Sequence, residues 1–138
     1  MFTSSFAALI TAATGLAPYA ASKHALQCIA ESLQKELKPF QIRVQTINPK
    51  AFLTGFNETM TESAFHWQDD SRNFIKRADI QKYFDFFGDE DSRRDPKEVI
   101  EAMVSIVPAD TGLFRNVVPK ALEEFVKTDQ KEAWKNHI

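Results

Sequence analysis

Tyr19 and Lys23 stand four residues apart in a segment with helical character, so their side chains fall on one face, one turn apart. A lysine ammonium beside a phenol favours the phenolate and draws its pKa down from the ordinary ~10. A tyrosine tuned in this way can give a proton to a carbonyl oxygen or take one from an alcohol. A hydroxyl held nearby can hydrogen-bond the same oxygen as charge develops on it. Ser5, with Ser4 as the neighbouring alternative, lies upstream at the end of an expected strand and suits that role. A tyrosine–lysine pair at this spacing also occurs on many solvated helix faces, so the surrounding elements decide what it means.

The helix that must carry the pair is expected over Tyr19–Leu37. Leu26, Ile29, Leu33 and Leu37 recur at helical spacing, Pro18 suits the first turn, and Pro39 stops the helix. Ile42, Val44 and Thr46 alternate with Arg43, Gln45 and Ile47 in a β-prone run that ends at Asn48-Pro49; its final apolar residues suggest cover on both faces. Further helices are expected over Glu58–Gln68 and Ser71–Phe87, then a polar loop over Gly88–Arg94. Asp95-Pro96 opens a helix running to Val107. Phe114–Val118 reads as a strand and Lys120–Lys135 as an amphipathic helix. Helices alternating with short strands define an α/β winding in one domain over residues 1–138.

With these elements in place, three runs carry a resemblance. They are Thr3-Ser4-Ser5-Phe6-Ala7-Ala8, Pro18-Tyr19-Ala20-Ala21-Ser22-Lys23-His24-Ala25-Leu26 and Glu31-Ser32-Leu33-Gln34-Lys35-Glu36-Leu37. Together they resemble the short-chain dehydrogenase/reductase family: its catalytic strand end, its active-site helix and that helix's continuation. Ile42-Arg43-Val44-Gln45-Thr46-Ile47-Asn48-Pro49 resembles the strand that follows, and Asp95-Pro96-Lys97-Glu98-Val99 a later helix start. The resemblance implies a partial Rossmann-like, doubly wound parallel sheet, the C-terminal half without the nucleotide-binding βαβ units. It also implies an oxidoreductase that uses NAD or NADP on a carbonyl or alcohol substrate by hydride transfer.

The resemblance further implies Tyr19 as catalytic acid/base, with Lys23 lowering its pKa and contacting the nicotinamide ribose. Ser5 would polarise the substrate carbonyl. Thr54 matches the residue that contacts the nicotinamide carboxamide, in a segment reading Pro49-Lys50-Ala51-Phe52-Leu53-Thr54, with Pro49 and Phe52 counted among the cofactor-binding positions. Lys50 stands where the family pattern has glycine, and Ser5 precedes Tyr19 by 14 residues, one more than usual. The four glycines, Gly15, Gly55, Gly88 and Gly112, are not spaced to cradle a pyrophosphate, so the chain is expected to be the catalytic portion of a longer enzyme. A non-catalytic fragment acting as an oligomerisation or interaction module is the alternative, and self-association is expected through the Tyr19–Leu37 helix.

Composition removes other classes. With 17 Lys+Arg against 19 Asp+Glu, a net charge of -2 gives no basic patch for nucleic acid. No apolar run reaches the ~20 residues of a membrane span. Phe6–Ala13 with Ala17, Ala20 and Ala21 loosely imitates a secretory leader, but the first basic residue is Lys23, which argues against one. The single Cys28 cannot form an internal disulfide, fits a cytoplasmic setting, and reads as an inert thiol packed among apolar neighbours. His24 reads as a surface residue, and His66 and His137 have no partners at zinc-ligand spacing. The aromatics between Phe52 and Phe87 read as satellite core before substrate pocket. Asp69-Asp70 reads as a loop or helix cap.

Overall fold

Three short β segments pair in parallel, so the chain between them must cross over, and helices make the crossings. The computed structural model describes residues 1–88 and 94–135. In chain order it has β1 (Phe2–Thr3), α1 (Ala17–Leu37), β2 (Thr46–Pro49), α2 (Phe56–Trp67), α3 (Arg77–Gly88), α4 (Pro96–Ile106), β3 (Arg115–Val118) and α5 (Glu123–Glu132). Strand order is β1-β2-β3, with Phe2 opposite Thr46 and Thr46 opposite Arg115. A parallel sheet wound with helical crossovers is the arrangement of one half of a Rossmann-like sheet, as the sequence implied.

The chain divides into two compact units, Met1–Lys50 with Lys97–Ile138, and Ala51–Pro96. In the first, β2 is the central strand, and Thr46, Ile47 and Asn48 are all 0% exposed. Alternation sends Thr46 and Asn48 to one face and Ile47 to the other, so both faces are covered. On the α1 side, Ala20 and Ala30 are buried together with Gln27. The helix packs against the turn that follows β1 and reaches β2 through the Gln27 side chain. A second cluster of Leu9, Val117 and Val126 is buried, with Phe6, Ile10 and Leu122 packed against it. Phe6 and Phe125 stack at 5.9 Å, which brings α5 onto the turn after β1.

The strand expected from Ile42 begins at Thr46 instead. Gln41 takes a left-handed backbone (φ 58°) after a 3-10 turn at Lys38–Phe40, and Ile42 stays half exposed. Pairing starts only where partners lie on both sides: Phe2 N–H donates to Gln45 O and Thr46 N–H to Phe114 O, each at 2.8 Å. The α1 stripe is also rotated from the expected one. Ile29 is 53% exposed, while Ala20, Gln27 and Ala30 take the core. Cys28 is exposed rather than packed, because the buried side of α1 follows these three residues and Cys28 lies off it.

The final helix is shorter than expected, α5 flanked by 3-10 turns at Lys120–Leu122 and Ala133–Lys135. Val126 turns inward, whereas Trp134 is exposed.

In the second unit, α2 starts at Phe56 after Gly55, whose φ of 75° is the left-handed conformation that glycine adopts freely. The helix expected from Ser71 begins at Arg77, because Asp69 and Asp70 hold the preceding residues in a turn. The Asp69 carboxylate accepts from Ser71 N–H (2.9 Å) and Oγ–H (2.6 Å), and Asp70 accepts from Arg77 N–H (2.7 Å) at the start of α3. Lys76 Nζ donates to the main-chain oxygens of Asp70 and Asn73. Phe65 meets Phe84 edge-on at 5.8 Å and carries the Arg77 guanidinium over its ring at 4.4 Å, a small satellite core with Ile80 and Phe52 also buried. Trp67 and Phe74 are exposed. The loop expected over Gly88–Arg94 falls largely outside the described residues.

Candidate active site

In an open parallel sheet, ligands gather at the carboxyl ends of the strands. At the end of β1 the ladder continues to Ser4, whose N–H donates to Ile47 O (2.9 Å), and the chain then turns into a 3-10 turn at Phe6–Ala8. Ser5 caps that turn from an extended backbone (φ -157°, ψ 155°), its Oγ accepting from Ala7 N–H at 3.1 Å. With the oxygen so used, the hydroxyl hydrogen has no acceptor among the described residues. Ser4 is spent differently. Its hydroxyl faces the Lys23 main-chain oxygen at 3.5 Å.

Pro18 lies in the first turn of α1, where its missing N–H costs no helical hydrogen bond. One residue on, Tyr19 is half-buried, and Lys23 follows one turn later on the same face. The Lys23 ammonium lies 5.8 Å from the centroid of the Tyr19 ring and 3.5 Å from Thr3 O. The cation is thus held between the phenol and the end of β1. An ammonium has three donors, and the Thr3 contact engages one, which leaves donors suited to a sugar diol. Ser5, Tyr19 and Lys23 all belong to β1's carboxyl end and the helix that follows it.

Below these residues lies a buried polar network that sequence reasoning missed. Asn48 Nδ2 donates to Ser5 O (3.0 Å) and to Gln27 Oε1 (3.2 Å). Thr46 Oγ1 lies 3.0 Å from Asn48 Oδ1 and 3.3 Å from Phe114 O, and accepts from Gln27 Nε2 at 3.5 Å. Its signal in the sequence was slight: polar residues at alternate positions of a buried strand, and a glutamine one turn beyond Lys23.

Among the expected cofactor positions, Pro49 closes β2 and is half-buried. Lys50, at the glycine position, extends the ladder through its N–H to Val118 O at 2.8 Å and needs no left-handed backbone. Phe52 and Thr54 belong to the second unit, where Phe52 is buried and bridges Arg94, and Thr54 is exposed in the bend before Gly55. Among the described residues no group of three or more His, Cys, Asp or Glu side chains is placed to hold a metal ion. A cavity of about 540 Å³ opens elsewhere on the first unit, lined by Leu9, Cys28, Glu31, Arg115 and Trp134 among others. Ser5, Tyr19 and Lys23 do not line it.

The strand, helix and strand that carry this arrangement coincide with a family match. Residues 1–64 match the model of the short chain dehydrogenase family. The chain is also 33% identical over 98 residues to a Bacillus subtilis (strain 168) protein described as "Uncharacterized oxidoreductase YusZ", an alignment covering 70% of this chain and 34% of that protein. Over these residues the chain is similar to the short chain dehydrogenase family. It spans about a third of the length of the curated relative it matches. No helix among the described residues is long and apolar enough to cross a membrane.

Proposed function

We propose that this chain supplies the proton-handling part of an oxidoreductase that uses NAD or NADP on a small carbonyl or alcohol substrate. The observation that carries the reading is the Lys23 ammonium held 5.8 Å from the Tyr19 ring, beside the strand end that bears Ser5. In the direction of carbonyl reduction, Ser5 Oγ–H donates to the carbonyl oxygen and fixes its position. The Tyr19 hydroxyl then passes its proton to that oxygen as negative charge builds there. The phenolate left behind lies beside a cation, which lowers its energy and makes the transfer easier. In the reverse direction the same oxygen atom of Tyr19 takes the proton from an alcohol.

A nicotinamide dinucleotide supplies hydride-transfer chemistry when bound. The free donors of Lys23 suit its ribose hydroxyls, and Pro49, in the same unit, is the further residue proposed to hold its nicotinamide end. No glycine-rich turn in this chain suits its pyrophosphate. We place the protein in the cytoplasm, in keeping with one unpaired cysteine.

The test is cofactor oxidation by the longest reading frame that contains this chain, with and without Tyr19→Phe. Turnover is expected to fall on the order of 100-fold or more; undiminished turnover removes Tyr19 from the role. A second reading, a non-catalytic module that self-associates through α1, is favoured by the exposed Ala25, Cys28 and Ile29 on that helix. Titration calorimetry with NAD and NADP separates the two, because micromolar binding contradicts a module without a cofactor.

A further inference from the structure

We infer that Gln27 and Asn48 are positioning residues that lock Ser5 to the Tyr19–Lys23 face of α1; the inference rests on the oxidoreductase reading above. Tyr19, Lys23 and Gln27 follow one another at intervals of four residues, so a single stripe of α1 carries all three. The proton donor and its cation occupy the half-buried end of the stripe. Gln27 occupies the buried end, 4% exposed.

A side-chain amide has two donor hydrogens and one oxygen, and those of Asn48 are all engaged. One hydrogen goes to Ser5 O and the other to Gln27 Oε1, while Oδ1 accepts from Thr46 Oγ1. No flipped orientation satisfies this set, since a flip would set an oxygen against two carbonyl oxygens. The amide of Asn48 is therefore a fixed link between the helix that bears Tyr19 and the main chain of Ser5. An apolar pair could fill the same volume without desolvating polar groups, but it would not define a direction. Ser5 is then held at two points, its carbonyl by Asn48 and its hydroxyl oxygen by Ala7 N–H. The Ser5 hydroxyl hydrogen is then the group left to donate to a substrate oxygen in the proposed reaction. A displacement on the order of 1 Å at such a site can cost 100-fold in rate.

The decisive variant is Asn48→Asp, nearly the same shape but with the donor nitrogen replaced by oxygen. In the longest reading frame containing the chain, kcat is expected to fall on the order of 10- to 100-fold while KM changes by less than about twofold. Rate should partly return as pH is lowered, because protonation of the introduced carboxyl restores one donor. Independently of activity, the Ala7 amide should lose its hydrogen-exchange protection. Gln27→Met, which fills the space without an acceptor, is the second variant should the first fail to fold. It is expected to lose on the order of tenfold in kcat. Val126→Ala, in the separate apolar cluster, serves as the control that lowers stability with kcat unchanged.

Full kcat in Asn48→Asp or Gln27→Met, with Ala7 protection intact, overturns the inference even if Tyr19→Phe is dead. Loss of Ala7 protection in a protein whose Tyr19→Phe variant is fully active leaves the anchoring of Ser5 standing and sinks the oxidoreductase reading instead.

Discussion

The side-chain amide of Asn48 donates to the main-chain carbonyl of Ser5 at 3.0 Å, across 43 residues of chain. Both groups are buried, so the bond is not in competition with water. Asn48→Ala strips a partner from Ser5 O and from Gln27 Oε1 together, and an unsatisfied buried polar group costs roughly 1–3 kcal/mol. The substitution is expected to lower unfolding stability by about 2–3 kcal/mol, read from urea denaturation. A loss of a few tenths would mean that the carbonyls find other partners.

Ala30 is 0% exposed where α1 meets the sheet. Ala30→Leu adds three carbons to a contact with no room for them, so the helix must lift or its neighbours leave their rotamers. A cost of about 1–3 kcal/mol is expected, again from denaturant midpoints. Unchanged stability would show that α1 rides higher above the sheet than described.

Cys28 is exposed on α1. A thiol-directed reagent is expected to label it in the native protein at a rate within about tenfold of that in denaturant, since access is not limited by unfolding. Native protection of several orders of magnitude would mean that a partner or another segment covers that face.

The Asp69 carboxyl is held below the ordinary aspartate value first by the Ser71 hydroxyl and next by the Ser71 N–H. Asp70 is held down by Arg77 N–H and then by the Gln68 amide. Because both folded values are depressed, the stability they contribute is present above the ordinary aspartate range of about 4 and is lost as pH falls through the folded values. NMR titration of the two carboxyl carbons should give midpoints below those of a free aspartate, with the Arg77 amide shift following Asp70. Ser71→Ala should move the Asp69 midpoint back up.

The Asp129 carboxylate accepts from both Thr11 N–H (2.7 Å) and Thr11 Oγ1 (3.1 Å), joining α5 to the loop after β1. Gln130 Nε2 adds a bond to Leu9 O at 2.9 Å. The two Asp129 bonds are exposed, so Asp129→Ala is expected to cost only about 1 kcal/mol. Its clearer signature is faster hydrogen exchange at the Thr11 amide.

Helical periodicity made the Tyr19–Lys23 pair and the α/β winding legible in the linear chain. A spacing of four on a helix is already a distance, and apolar runs between proline and turn signals already mark elements. Strand edges were not legible in the same way, since Ile42–Val44 have β propensity but no ladder partner among the described residues. Burial was also misjudged for Ile29 and Cys28, because the side of α1 that faces inward is set by tertiary packing and follows Ala20, Gln27 and Ala30. The Gln27–Asn48–Ser5 link joins residues 21 and 43 positions apart. Such a bond comes into being only when a helix and two strands pack, and no local rule of spacing anticipates it.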